Sequence, residues 1–252
     1  MTGRLLVLIC AYLLVNACIA QPVSGYDYLS AEIKEIQDDD FLNPGMSAVE
    51  RGQQLFIQAD DDGRACADCH GAEGEKLNKK RIAAYPGFDH ILNQVLTLQD
   101  RIRYCRTEKL DRFPLVYDHK DLVDLETFVR SRARGETIHI EVTDDTKEIY
   151  EAGKALYNKR FGQMGMTCHH CHEQYQSIYL RGRKLTQGQT NGFPVYRFES
   201  DRITSLHRRF NECFVQLRAE PFDKGGDEYR ALEYYMGVMS NGLKVETPGV
   251  RF

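Results

Sequence analysis

The sequence predicts an all-α protein made of two tandem, related halves, and three observations carry that expectation. The spacing Cys-x-x-Cys-His occurs twice, as CADCH at residues 66–70 and CHHCH at residues 168–172. Similar segments precede the two copies, MSAVERGQQLFIQADDDGRACADCH and DDTKEIYEAGKALYNKRFGQMGMTCHHCH. Each has a glycine (Gly52, Gly153) and then an apolar-aromatic pair (Leu55-Phe56, Leu156-Tyr157). Similar segments also follow them: DLETFVRSRARGETIHIE matches RALEYYMGVMSNGLKVE, aligning Leu125-Glu126 with Leu232-Glu233 and Gly135 with Gly242. Self-similarity on this scale is the mark of internal duplication.

The elements follow in chain order. MTGRLLVLICAYLLVNACIAQ holds one arginine, an apolar run too short for a comfortable membrane span, and small residues before Gln21. That is the pattern of an export signal over residues 1–20, and it makes the periplasm the expected compartment. Cleavage after Ala20 removes Cys10 and Cys18. VNAC also faintly resembles a lipoprotein box, in which Cys18 would be lipidated, and an uncleaved anchor is the third outcome.

The segment before each motif reads as a helix. Ser47-x-x-Glu50 and Asp145-x-x-Glu148 have the spacing of capping boxes or close variants, and Ile149, Ala152 and Leu156 fall on one helical face. In the last helix Tyr229, Leu232, Met236 and Met239 make an apolar stripe, read as core packing. Each half is therefore helix, motif, loop, helix. The halves join near residues 136–145, giving units 21–140 and 141–252.

Composition removes one class of function. A net charge of −4 spread over a chain of 252 residues that is 28% charged leaves no basic stripe to neutralise phosphates, so no nucleic-acid partner is expected.

In an exported chain, unpaired thiols form disulfides unless something else uses them. Three disulfides, or zinc held by the CxxC pairs with Cys105 and Cys213, would use the cysteines of the mature chain, but neither explains a histidine directly after each CxxC. Haem does: two thiols add to its two vinyl groups and the next residue sets an imidazole on the iron. Two covalently bound haem c groups are expected, one on Cys66 and Cys69 with His70 on its iron, the other on Cys168 and Cys171 with His172. Each half then reads as a cytochrome c-like domain.

The second axial ligands come from the same duplication. Cys105, in LQDRIRYCRTEKL, and Cys213, in ITSLHRRFNECFVQLRAEP, each follow their own motif at a similar interval and precede their own last helix. Met164 and Met166 stand just before the second motif, Met236 and Met239 lie on the packing stripe, and the first half offers no matching methionine. The expectation is His70/Cys105 and His172/Cys213 ligation. A Cys105–Cys213 disulfide, or His90, His119 or His207 as distal ligand, are the alternatives. His169 and His170 read as exposed spacers. A thiolate on iron lowers the reduction potential, which points to sulfur chemistry.

Cations crowd Cys213: Arg202, Arg208, Arg209 and Arg218. Arg209 stands four residues before Cys213 and, on a helix, shares its face. A guanidinium fork suits a sulfonate or sulfate group. Haem propionates or the solvated surface are the other use for these cations; Arg202 and Arg208 are assigned to it, and for Arg209 spacing alone leaves both uses open. Arg101, at the same offset before Cys105 and with Arg103 and Arg106 nearby, is a weaker echo.

With both CxxCH motifs, RIRYCR around Cys105, RRFNECFVQLRAEP around Cys213 and the ending LEYYMGVMSNGLKVETPGVR, the chain resembles the SoxA family over most of its mature length. Members are the dihaem subunit of the SoxAX cytochrome of bacterial thiosulfate oxidation. The resemblance implies L-cysteine S-thiosulfotransferase activity. Thiosulfate would be joined through its outer sulfur to a cysteine of a SoxYZ-like carrier, with electrons leaving through haem to a small c-type cytochrome. It further implies a heterodimer with a SoxX-like monohaem cytochrome c, Cys213 as the active residue in cysteine persulfide form, and Arg209 in contact with substrate. Some members lack the first haem; Cys66, Cys69, His70 and Cys105 place this chain with the dihaem type. A dihaem thiosulfate dehydrogenase forming tetrathionate and a plain dihaem electron-transfer cytochrome are the competing readings.

Overall fold

The computed structural model describes residues 21–252, so the expectations for the export signal, Cys10 and Cys18 lie outside the described residues. A 3-10 turn (Gly25–Tyr28) is the first element of the described residues. The first half then runs α1 (Ala31–Asp38), α2 (Met46–Ile57), α3 (Cys66–His70), α4 (Lys79–Ala83), β1 (Gly87–Asp89), β2 (Gln94–Leu96), α5 (Leu98–Glu108) and α6 (Lys120–Ser131). The second half runs α7 (Lys147–Asn158), a π-helical turn (His170–Gln174), β3 (Tyr179–Leu180), β4 (Arg183–Lys184), β5 (Val195–Arg197), β6 (Arg202–Thr204), α8 (Leu206–Gln216), α9 (Asp227–Met239) and β7 (Gly249–Arg251).

The duplication is legible at atomic level in how the long helices cross. In the first half α2 packs on α6, and in the second α7 packs on α9. At each crossing a glycine allows backbone to meet backbone: a Cβ at Gly52 would overlap the carbonyl oxygen of Asp124, and one at Gly153 that of Ala231. Around these crossings sit two apolar cores. Phe56, Ile82, Leu125 and Phe128 belong to one, while Tyr157, Phe210, Phe214, Tyr229, Leu232 and Met236 belong to the other. The stripe read from the last helix is therefore core.

The chain is mostly helical, as expected, with small sheets added: two antiparallel hairpins, β1-β2 and β5-β6, precede α5 and α8 in equivalent places. Each turns through a left-handed residue, Asn93 (φ 52°) in the first and Asp201 (φ 48°) in the second, a conformation that Asn and Asp tolerate. Strands of three residues are too short to show an alternating pattern. The capping boxes differ from the expected ones: α2 and α7 have Gly45 and Thr146 as caps, with no side-chain bond, and Ser47 Oγ donates to the Pro44 carbonyl. A true box closes α5 instead, where Thr97 Oγ1 accepts from Asp100 N–H and Asp100 Oδ2 accepts from Thr97 N–H, both at 3.1 Å.

The halves are laced together by both chain ends. Val245 N–H donates to the Glu136 carbonyl at 2.9 Å and Ile138 N–H to the Leu243 carbonyl at 2.8 Å. β7 then adds in parallel to β5, making the sheet order β6-β5-β7. From the N-terminal side, Gln37 Oε1 accepts from Val250 N–H at 2.9 Å and Asn43 Nδ2 donates to the Pro248 carbonyl at 3.0 Å. Among the described residues no helix is long and apolar enough to cross a membrane.

Candidate functional site

The second half gathers its chemistry around α8. Ser205 Oγ accepts from Arg208 N–H at 3.1 Å and so fixes where the helix begins. That start decides which face carries Arg209 and Cys213. Burial pushes the Cys168 thiol up to about 12, and the charge of Cys213 opposes its ionisation further. Cys171 is raised by the same two causes. The fold thus brings Cys213 up to the CxxC pair. Tyr229 faces them as well: burial, then the charges of Cys213 and Cys168, hold its phenol protonated.

His172 is oriented by the loop behind it. Its Nδ1 lies 2.8 Å from the Thr186 carbonyl oxygen, so Nδ1 carries the proton and Nε2 keeps its lone pair. Gly188 sits in the left-handed region (φ 75°), where a Cβ would come within 2.9 Å of the His172 ring. Burial lowers the affinity of the imidazole for a second proton. These features make a neutral, directed metal ligand.

Arg209 is held charged first by Cys213 and then by Glu212, to whose Oε2 its Nη1 donates at 3.0 Å. Glu212 also meets Arg197 Nε at 3.8 Å, and Arg197 Nη2 reaches Glu199 Oε2 at 3.1 Å. Glu199 in turn takes Arg183 Nη1 at 2.8 Å. Arg197, buried on the central strand of the small sheet, is a residue that sequence reasoning missed. It lies in a strand too short to register, and no motif contains it.

The first half repeats the plan. Burial raises both Cys66 and Cys105. Arg106 and Arg112 oppose the first rise, and Arg101, Arg81 and Lys109 the second; the charges of Cys105 and Cys69 add to the two rises by less. His70 lies beside Phe56, ring centroids 6.1 Å apart, and burial lowers its basicity. Arg101 Nη1 lies 3.1 Å from Asp89 Oδ2 and its charge favours the Cys105 thiolate. The six cysteines of the described residues form no disulfide.

The other candidates are engaged elsewhere. His90 is exposed; His119 caps α6, accepting from Asp121 N–H at 3.3 Å; and His207 is buried against Glu233. His169 and His170 are not exposed spacers: the first pairs with Glu173 at 3.0 Å, and Nδ1 of the second accepts from Thr167 N–H at 2.9 Å. Arg208 bonds Asp118 of the first half at 2.8 Å. Arg202 and Arg208 line a polar cavity of about 500 Å³ at the seam between halves, with Arg51, Asp118 and Lys120, apart from both cysteine clusters.

The family described as SoxA/TsdA, cytochrome c domain, matches residues 51–138 and again 152–245. The chain belongs to the SoxA/TsdA cytochrome c family. It is 35% identical over 229 residues to the L-cysteine S-thiosulfotransferase subunit SoxA of Rhodovulum sulfidophilum, covering 90% of this chain and 79% of that one. The subunit of the same name from Pseudaminobacter salicylatoxidans is 36% identical, with coverages of 91% and 80%. The crystal structure of SoxXA from P. pantotrophus superposes with a TM-score of 0.85 at 30% identity, covering 92% of this chain and 87% of that chain.

As a SoxA/TsdA cytochrome c protein the chain carries covalently bound haem c, and its donor sets fit that group. Two unpaired thiols precede an imidazole in each half, and in the second half the imidazole is already aimed by Thr186 and Gly188. The family's cytochrome c pattern thereby accounts for the doubled motif without zinc; among the described residues no cluster of His, Cys, Asp and Glu forms a separate metal site.

Proposed function

We propose that this chain is the dihaem subunit of a periplasmic L-cysteine S-thiosulfotransferase, which joins thiosulfate to a cysteine of a SoxYZ-like carrier protein. Haem would be held by Cys66, Cys69, His70 and Cys105 in the first half and by Cys168, Cys171, His172 and Cys213 in the second. The observation that carries the reading is Arg209 placed against Cys213, beside a CxxCH motif, in a chain 35% identical to a named SoxA subunit.

The chain's own residues supply binding and orientation. Arg209, fixed by Glu212, offers paired N–H donors to the sulfonate end of thiosulfate. That leaves the outer sulfur directed at Cys213, which acts as a cysteine persulfide. In the net reaction one S–S bond forms between the outer sulfur and the carrier thiol, the thiol proton leaves to solvent and two electrons are given up. Bound haem supplies the electron-accepting chemistry, and a small c-type cytochrome takes the electrons onward. A SoxX-like monohaem cytochrome c completes the heterodimer. Residues 1–20 direct export and are removed.

The test is the intact mass of a purified carrier after incubation with thiosulfate, the holo-protein with its cytochrome partner, and an electron acceptor, run beside Cys213→Ala. A thiosulfonate adduct on the carrier that vanishes in Cys213→Ala is expected. Tetrathionate without an adduct would replace the conjugating enzyme by a thiosulfate dehydrogenase, and no sulfur product at all would leave an electron carrier.

A further inference from the structure

Apart from the cysteine clusters, the duplication brings a second set of equivalent residues together at the seam. Gln99 lies in the first turn of α5 and His207 in that of α8, at matching places on the helices that carry Cys105 and Cys213. Gln99 Nε2 donates to Glu126 Oε2 at 2.7 Å, and His207 Nε2 lies 2.9 Å from Glu233 Oε2. Glu126 and Glu233 are themselves equivalent, on α6 and α9. Behind them the backbone repeats too: Asp118 N–H donates to Gln99 Oε1 at 2.9 Å and Gly225 N–H to His207 Nδ1 at 3.0 Å. Both donors are left-handed residues, with φ of 61° and 77°. Because Nδ1 of His207 accepts from the backbone, its ring proton sits on Nε2, which lies beside Glu233 without being aligned to donate to it. The ring of Tyr117 stacks on that of His207, centroids 4.9 Å apart.

The surrounding charges leave this group short of cations. Asp100 on α5 is matched by Arg230 on α9 at 2.8 Å. Asp118 is matched by Arg208 on α8 at 2.8 Å and by Lys224 from the α8–α9 loop at 2.7 Å. Arg130, on the same helix as Glu126, faces both glutamates, but its Nη1 is committed to the carbonyls of Ile82 and Tyr85 at 3.0 and 3.1 Å. Two carboxylates in a partly buried seam with one such cation do not both ionise freely. Burial and the charge of Glu233 accordingly raise Glu126 to about 8.

We propose that Glu126, together with Glu233, Gln99 and His207, is a proton-binding site that gains a proton when iron held by Cys105 or Cys213 is reduced and loses it on oxidation. The proposal rests on the haem reading above. Gln99 and His207 lie six residues before those cysteines, roughly 9 Å of helix at 1.5 Å per residue. An electron arriving from the sulfur substrate adds one negative charge at the far end of α5 or α8. Above about pH 8, where Glu126 is ionised, its carboxylate takes one proton from solvent and cancels that charge. Oxidation by the acceptor cytochrome removes the electron and returns the proton, so the site keeps the interior charge constant through turnover.

Redox titration of the holo-protein at a series of pH values, native against Glu126→Gln, tests this. The glutamine retains an acceptor for Gln99, so the fold is preserved. In native protein the midpoint potential of one or both haems should fall as pH rises through and above about 8, where Glu126 gives up its proton, and in Glu126→Gln that slope should disappear. An identical slope in both overturns the proposal. Should the variant not fold, reduction of native protein in unbuffered solution above about pH 8 with an indicator dye decides: proton uptake is expected, and its absence overturns the site. Loss of sulfur transfer with the potential still dependent on Glu126 would count against the function proposed above and not against the proton site. A protein without covalent haem overturns the cofactor reading and the proton site with it.

Discussion

His172 and Gly188 are in contact across the second site: the glycine's backbone passes so close to the imidazole that a Cβ would stand 2.9 Å from its Cγ, while the Thr186 carbonyl holds Nδ1 at 2.8 Å. The loop Thr186–Gly188 therefore sets the ring's orientation. Gly188→Ala should turn the ring as well as strain the backbone, whereas Gly182→Ala, also left-handed (φ 80°) but with nothing within 4 Å, should only strain it. Each carries the left-handed penalty of about 1–2 kcal/mol. Only Gly188→Ala should alter the ferric signal of haem bound through His172, read by electron paramagnetic resonance. Equal spectra in the two variants would show that the loop does not direct the ligand.

The helix crossings give a prediction of sign. An alanine in place of a helical glycine usually stabilises by about 1 kcal/mol. At Gly52 and Gly153 the added methyl would overlap the carbonyl oxygens of Asp124 and Ala231, and the helices would have to separate. Gly52→Ala and Gly153→Ala should each therefore destabilise, by about 1–3 kcal/mol or more. Denaturant unfolding measures it; a stabilised variant would mean that the crossings can open without cost.

Those same crossings show what the sequence could and could not disclose. Gly52, Gly153 and the Leu125-Glu126 and Leu232-Glu233 alignment revealed the duplication, because a close helix contact restricts residue type at a fixed place. The cysteines were legible for a similar reason: covalent attachment needs fixed spacing. Arg197 and the partnership of Arg208 with Asp118 were not legible, since ion pairs that join distant segments leave no local period. The hairpins were missed because three residues cannot display alternation, although Asn93 and Asp201 mark their turns. Arg209 was found by helical spacing from Cys213, but its restraint by Glu212, three residues along, was overlooked.

Glu126 makes stability depend on pH. Its folded-state value, about 8, lies above the ordinary 4.5, so folding favours the protonated carboxyl. The resulting stability is complete below about 4.5 and is lost as pH rises through about 8. At ~1.4 kcal/mol for each pKa unit the loss is on the order of a few kcal/mol. Denaturant unfolding across this range should show the decline in native protein and a flatter profile in Glu126→Gln. Parallel profiles would place Glu126 among ordinary, hydrated carboxylates.

The last prediction separates the charge of Arg209 from its shape. Glu212 Oε2 holds Nη1 at 3.0 Å and is itself approached by Arg197 at 3.8 Å, so the guanidinium beside Cys213 is fixed from behind by a carboxylate that two arginines share. Charge-assisted hydrogen bonds contribute about 1.5–3 kcal/mol each, and each ~1.4 kcal/mol is tenfold in rate. Arg209→Gln should lower kcat/KM for thiosulfate about 10- to 100-fold, mainly through KM if the contact is made equally in ground and transition states. Arg209→Lys keeps the charge and loses the fork, so it should recover part of that loss. Glu212→Gln leaves both arginines charged but removes their shared anchor. It should tighten or preserve thiosulfate binding while lowering kcat, because the anion is still attracted but no longer held in line with Cys213. Steady-state kinetics with the carrier as acceptor distinguishes these: a Glu212→Gln variant that loses affinity as Arg209→Gln does would show that Glu212 positions Arg209 for binding alone and has no part in aligning the sulfur.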